Sequence, residues 1–341
     1  MYEFEIFRLQ HYKTDYKKLY SFIRILKDKR DNSYIYICID LLRCLFKYNT
    51  RFIDYFYFKF YDPNINKTEH TNVWDMHLFH KKYNSENAII FRDKLKFRSH
   101  FKDYFNYPYF ELKNIDDIGQ LINWITVNNF QSIVAKEPLG TVGSGVKVLS
   151  IENEKGDLFI DGLIIEEYLN KLYHKGFKLY ESFINQHLDL SKIYPESINT
   201  IRIVTFLNDE NNVEIWAALL RMGLNKSVDN FDAGGISAKI DIESGIVIKP
   251  AVIKDPFIDE VFEYHPVTKE KILGLQIPYW EKILKLINEA SKEIPDVRTV
   301  GWDVAITING PTLIEGNDNW DKTLFELTSG EGLNKRIKSL I

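Results

Sequence analysis

Apolar positions recur every three or four residues early in the chain and every second residue late in it. Phe7, Leu9, Tyr12, Tyr16, Leu19, Phe22 and Ile23 follow a helical stripe, so residues 1–85 are expected to form a mostly helical, aromatic-rich region. Beyond about residue 86 the texture changes. Residues 133–136 read as a short buried strand, a glycine turn follows, and 146–150 read as its partner. Lys155-Gly156-Asp157 reads as a hairpin turn before 158–160, and 163–172 as a helix with acids early and Lys171 late. Later come strands at 200–206, 213–221, 237–241 and 246–248 and an amphipathic helix over 279–293. The last hairpin joins 298–307 to 311–315 through Asn309-Gly310. The class is α+β with mostly antiparallel sheets.

A chain of 341 residues exceeds the usual single core, so we expect residues 1–85, 86–185 and 186–341 to form three parts. With 45% hydrophobic and 27% charged residues, wholesale disorder is excluded. A formal net charge of −4 is a poor footprint for holding nucleic acid. Acids at Glu3 and Glu5 argue against a secretory leader, and a cytoplasmic location is expected. The greasy stretch 34–61 is broken by Asp40, Arg43, Lys47 and Arg51, too early for the roughly eighteen uncharged residues of a membrane span. Its aromatic run 55–61 is expected to be buried, with peripheral contact to lipid or a glycolipid as the alternative. Cys38 and Cys44, six positions apart in an apolar stretch, are expected to be buried, reduced thiols.

The sharpest chemistry lies between Asp303 and Asn317. A hairpin makes Asp303 and Glu315 neighbours, and Asn317, two residues on, leaves the same face as Glu315. Converging carboxylates and an amide oxygen suit a hard cation such as magnesium. Lys136 ends a buried strand ahead of Gly140, Gly143 and Gly145, a turn whose backbone N–H groups and lysine suit phosphate. Arg202 and Arg221 sit in apolar strands and therefore need a carboxylate or an anionic ligand.

In order along the chain, these parts resemble the ATP-grasp superfamily over roughly residues 90–320. The flap is Val134-Ala-Lys136-Glu-Pro138-Leu-Gly140 followed by Gly143-Ser144-Gly145, and the metal set is Asp303 with Glu315-Gly-Asn317. Gln186-His187, Asn199-Thr-Ile-Arg202, Asp229-Asn230-Phe231, Gly234-Gly235, His265-Pro266, Ile277-Pro-Tyr-Trp280 and Gly301-Trp302-Asp303 are similar to its sugar-transfer-associated branch. The resemblance implies two subdomains clamping ATP, with one or, more usually, two magnesium ions (manganese as a substitute) on Asp303, Glu315 and Asn317. Lys136 and Lys94 would face the nucleotide, with Lys96 competing for the second place. The adenine hinge is either 166–169 or Glu181, Phe183 and Ile184. Arg202 and Arg221 would face the γ-phosphate, Asn230 and Gly234-Gly235 would shape the acceptor pocket, and His265 is either a substrate contact or a capped loop residue.

The implied activity is a carbon–nitrogen ligase working through an acyl-phosphate, with small amine and carboxylate substrates, one of them sugar-linked, in surface polysaccharide synthesis. A small-molecule kinase and a non-catalytic nucleotide-binding scaffold are the alternatives. Oligomeric state is left open.

Overall fold

The structure is a computed structural model that describes residues 15–30, 33–140, 145–224, 229, 231 and 234–341. Helices Tyr16–Arg30, Tyr34–Tyr48, Phe52–Tyr57 and Val73–Tyr83 open the described chain, while Phe7, Leu9 and Tyr12 lie outside it. The Ser33 side chain accepts from Tyr36 N at 3.1 Å to start the second of these, and Asn49 ends it with φ +51°. The aromatic run is core. Tyr55, Phe56, Tyr57, Phe58 and Phe60 are buried with Phe22, Leu26, Ile37, Leu41 and Cys44. Cys44 is buried, and burial pushes its thiol up to about 11. Cys38 faces solvent, against expectation, because it sits on the flank of the helix beside the buried stripe of Ile37, Leu41, Cys44 and Leu45.

Two sheets follow. Strands β1 (Tyr109–Glu111), β2 (Ser132–Lys136), β3 (Val146–Ser150), β4 (Glu152–Glu154), β5 (Asp157–Ile160), β6 (Leu163–Ile164) and β7 (Leu179–Ser182) make the first part. Four of them form a sheet in the order β1-β7-β2-β3, and β4-β5-β6 form a small satellite. Helices Ile118–Val127 and Ile165–His174 cover this sheet through Leu121, Ile125, Leu169 and Leu172. The expected 163–172 helix begins two residues late, since Leu163 and Ile164 pair with β5.

Strands β8 (Thr200–Leu207), β9 (Val213–Met222), β10 (Ile236–Ile240), β11 (Val252–Ile253), β12 (Thr299–Thr307) and β13 (Gly310–Asn317) form an antiparallel sheet. Its order is β11-β10-β9-β8-β12-β13. One face packs Ile201, Ile203, Leu220, Trp302 and Val304 against helix Trp280–Ala290. The other buries Val204, Phe206, Ala217 and Leu219 beneath Phe79, Trp216 and Trp320. Thus β12 is buried along its whole length, as a central strand covered on both faces must be. The final turn is Ile308-Asn309, one residue earlier than the sequence suggests, since Thr307 pairs with Gly310 at φ +118°.

Buried charges tie the helical part to the C-terminus. Asp54 accepts from Arg51 Nε at 3.0 Å and Nη2 at 2.8 Å, and Lys322 Nζ lies 3.2 Å from its other side. Among the described residues no helix is long and apolar enough to cross a membrane.

His80 sits beneath Trp320, with Nδ1 2.7 Å from Asn319 Oδ1. Burial pushes its imidazole down to about 4. The unfolded chain, with an ordinary histidine near 6.5, takes up this proton first, so acid favours unfolding between those values. Taking the pH from 7 to 5 should therefore cost about 2 kcal/mol through this residue. Urea melts of the wild type and His80→Gln should differ by that loss, and identical pH dependence would refute it.

Candidate active site

Alternation along the strands puts polar side chains on one face of the six-stranded sheet. Thr200 pairs with Arg221, Arg202 with Asp303 and Asp303 with Glu315, and paired residues share a face. The last pairing depends on a bulge. From Thr307 back to Val304 the partners run from Gly310 to Leu313, but Asp303 meets Glu315, leaving Ile314 as the extra residue. Without that insertion Asp303 would oppose Ile314, and Glu315 would point into the opposite core. Asn317, opposite Gly301, joins the same face.

Asp303 is buried and fully engaged. Arg202 donates Nε to Oδ1 at 2.6 Å and Nη2 to Oδ2 at 2.8 Å, while Arg221 Nη1 reaches both oxygens at 2.9 Å. These bonds fill the lone-pair sites of a carboxylate. Burial alone would raise this carboxyl, but the two guanidinium groups outweigh it and hold it well below the usual range. Arg221 continues to Asp229 Oδ1 at 3.4 Å, and Asp229 also accepts from Thr200 N at 3.1 Å. Asp303 on one side and Arg202 and Arg221 on the other thus answer one another's buried charge.

Glu315 differs. It accepts from the Asn317 side-chain amide at 3.4 Å, and among the described residues no cationic side chain comes within 4 Å. Burial, with the charge of Asp303 adding to it, pushes its carboxyl up. A half-buried carboxylate beside another acid and an amide oxygen fits a divalent cation, with Glu315 and Asn317 as the available ligands. No cluster of three acidic, histidine or cysteine ligands occurs among the described residues.

The first sheet supplies a second charged group. Lys136, at the end of β2, lies 2.5 Å from Glu181 Oε2 on β7, and Arg98 Nε lies 3.3 Å from Oε1. Arg98 was not singled out from sequence. It is buried, its guanidinium 3.7 Å from the Phe105 ring centre and 4.5 Å from that of Tyr109, and it donates to the Tyr107 carbonyl. Its sequence signal was the spacing from Lys94, one turn earlier on helix Lys94–His100, which sets both cations on one helical face. Asp93 caps that helix by accepting from Leu95 N at 2.9 Å and Lys96 N at 3.2 Å.

The same helix reaches the acidic hairpin. A Cβ at Gly316 would lie 2.7 Å from the Phe91 ring and 3.1 Å from Phe97, so only glycine allows this approach. Lys94, half-buried, is lowered by burial and feels the charges of Glu315 and Lys136. Lys96 is exposed.

The remaining candidates divide between the cleft and the scaffold. Gly140 donates its N–H to the Glu137 carbonyl at 3.3 Å and accepts from Lys94 Nζ, so its N–H is committed to the turn. Gly145, at φ +72°, returns the chain beside Glu137. Gly143, Ser144 and Asn230 lie outside the described residues. Glu166 and Glu167 are exposed on their helix, away from Lys136. After β7, Phe183 is 43% exposed, while Ile184 packs with Tyr107 and Ala305 between the two sheets. His265 is buried and stacked on Tyr194, with Nε2 2.9 Å from the Gly223 carbonyl. Gln186 and Asn199 likewise bond backbone groups leading into β8. These last motif residues build the scaffold.

A family model described as sugar-transfer associated ATP-grasp matches residues 75–340, and the chain belongs to that family. No curated protein matches it. Among solved structures it is similar to N5-carboxyaminoimidazole synthetase from Staphylococcus aureus, at 13% identity and TM-score 0.43 over 75% of this chain and 52% of that one. It is also similar to D-alanyl-alanine synthetase A from Vibrio cholerae O1 biovar eltor, at 12% identity and TM-score 0.45 over 74% and 65%. A third is the ATP-grasp ligase PsnB, at 11% identity and TM-score 0.43 over 76% and 60%. The matched stretch thus spans between about half and two thirds of those proteins.

The Arg98–Glu181 contact predicts strong coupling. Arg98→Met should cost about 1.5–3 kcal/mol by leaving the buried Glu181 carboxylate with Lys136 as its one remaining cation. Combined with Glu181→Gln, part of that loss should return as a coupling of about 1–3 kcal/mol in a double-mutant unfolding cycle. Strict additivity would show that the two do not depend on each other.

Proposed function

We propose that this sugar-transfer associated ATP-grasp protein is an ATP- and magnesium-dependent ligase that joins a carboxylate to an amine. The observation that carries this reading is Glu315, a half-buried carboxylate beside Asp303 and Asn317 that no described cationic side chain answers within 4 Å. Glu315 and Asn317 would hold the metal, with Asp303 joining them if an arginine turns away. When bound, magnesium neutralises the phosphate oxygens of ATP.

The chain's own groups do the rest by position and charge. Lys136 and Lys94 would bind phosphate oxygens, Lys94 from a helix that packs on the acidic hairpin. Glu181 holds Lys136 until then, and Arg98 remains on Glu181 when Lys136 is drawn away. Arg202 or Arg221 would balance negative charge at the carbonyl oxygen, and Asn230 with Gly234-Gly235 would shape the acceptor pocket. Phe183 and Ile184 follow Glu181 toward the second sheet and would border the nucleotide base.

A carboxylate cannot condense with an amine directly, because oxide is a poor leaving group. In the proposed reaction a carboxylate oxygen attacks the γ-phosphorus, the bond to the β-phosphate oxygen breaks and ADP leaves. The amine nitrogen then attacks the acyl carbon, the bond to phosphate breaks, and the nitrogen gives up a proton. The family description supports a sugar-linked substrate, and we place the reaction in the assembly of a surface polysaccharide precursor. Dependence on ATP and free cysteine thiols supports work in the cytoplasm.

Incubation with ATP, magnesium, uronic-acid sugars and hydroxylamine should yield a hydroxamate and ADP. Glu315→Gln should lower that yield at least about 100-fold while the protein stays folded. A stable phosphorylated alcohol in place of the hydroxamate would make the chain a kinase, and no ADP formation with any acid would remove the ligase reading.

A further inference from the structure

Helix Tyr34–Tyr48 carries two apolar faces. One is buried through Ile37, Leu41, Cys44 and Leu45. The other consists of Ile35, Ile39, Leu42 and Phe46, which are 73%, 62%, 45% and 76% exposed. At about 100° per residue these four lie within an arc of about 60°, pointing directly away from the core. Polar residues normally occupy that position on a surface helix.

The face extends onto the preceding helix. Tyr16, Tyr20 and Lys27 share one flank of helix Tyr16–Arg30 at helical spacing, and Lys27 Nζ lies 5.7 Å from the Tyr34 ring centre. Tyr20 and Tyr36 are 64% and 59% exposed, and tyrosine suits a boundary between apolar and aqueous surroundings.

Charge identifies what this face would meet. Residues 15–51 hold nine basic and four acidic side chains, a net of +5 in a chain whose total is −4. Exposed Arg43 and Lys47 border the apolar stripe directly. Antiparallel pairing of two copies would set this basic flank against its own equivalent, which like charges oppose. An anionic lipid surface satisfies both features, taking the aliphatic and aromatic side chains at its acyl boundary and the cations at its headgroups.

We propose that helices Tyr16–Arg30 and Tyr34–Tyr48 form a docking surface for an anionic membrane, on which the protein lies without crossing the bilayer. The aromatic run at 55–61, where the sequence left lipid contact open, is the core beneath this surface. The proposal does not depend on which reaction the protein carries out.

Flotation of the full chain with vesicles tests it. Vesicles of phosphatidylcholine mixed with phosphatidylglycerol should carry the protein upward, and phosphatidylcholine alone should carry far less. Ile39→Asp with Phe46→Asp should reduce binding about tenfold or more, by removing the apolar contact. Arg43→Glu with Lys47→Glu should do the same through charge, and raised salt should weaken wild-type binding. Both pairs are solvent-facing, so thermal melting should stay unchanged. Failure to float with acidic vesicles, or flotation unaffected by either pair, would overturn the proposal. So would a dimer in light scattering that Ile39→Asp with Phe46→Asp dissociates, which would make a second copy the occupant.

Discussion

Asp303 accepts four N–H bonds from two arginines, while Glu315, set opposite it by the bulge at Ile314, accepts none from a cation among the described residues. That asymmetry governs the cleft. In Asp229, Arg221, Asp303 and Arg202 acids and bases alternate, and each charge removed from water is met by its neighbour. Glu315 adds one negative charge to a balanced row in a half-buried place, and Arg202, Arg221 and Lys94 offset it only from a distance. Such a charge favours uptake of a proton or of a cation from outside.

The opposite side repeats the arrangement on another sheet. Glu181 is held between Lys136 and Arg98, as Asp303 is held between Arg202 and Arg221. Helix Lys94–His100 joins the two groups. Its Arg98 reaches Glu181, its Phe97 rests on Gly316, and Lys94 at its first turn feels both Glu315 and Lys136. One short capped helix thus fixes the lysines relative to the acidic hairpin.

Much of this was legible from sequence, for definite reasons. Alternation along 200–206 and 298–307 predicts strands, and Glu315 and Asn317, two residues apart, leave one face as their spacing requires. What sequence could not supply is the register. A bulge at Ile314 leaves no mark in composition, and a turn at Asn309-Gly310 differs from the true one by a residue. Nor does a motif reveal who neutralises whom. Arg202 and Arg221 read as cations in need of a partner, and only the fold shows that Asp303 lies between them. Arg98 was missed because its partners, Glu181 and the rings of Phe105 and Tyr109, lie on separate segments. Cys38 was expected to be buried because its stretch is apolar, but only one face of that helix packs on the core.

The central claim is that Glu315 takes up its missing positive charge as a metal ion that arrives with nucleotide. Calorimetric titration with ADP, with and without magnesium, tests it most directly. Wild-type protein should bind ADP markedly more tightly with magnesium, and Glu315→Gln should bind equally well in both conditions. Equal affinity with and without magnesium in the wild type, or an undiminished magnesium effect in Glu315→Gln, would contradict the account.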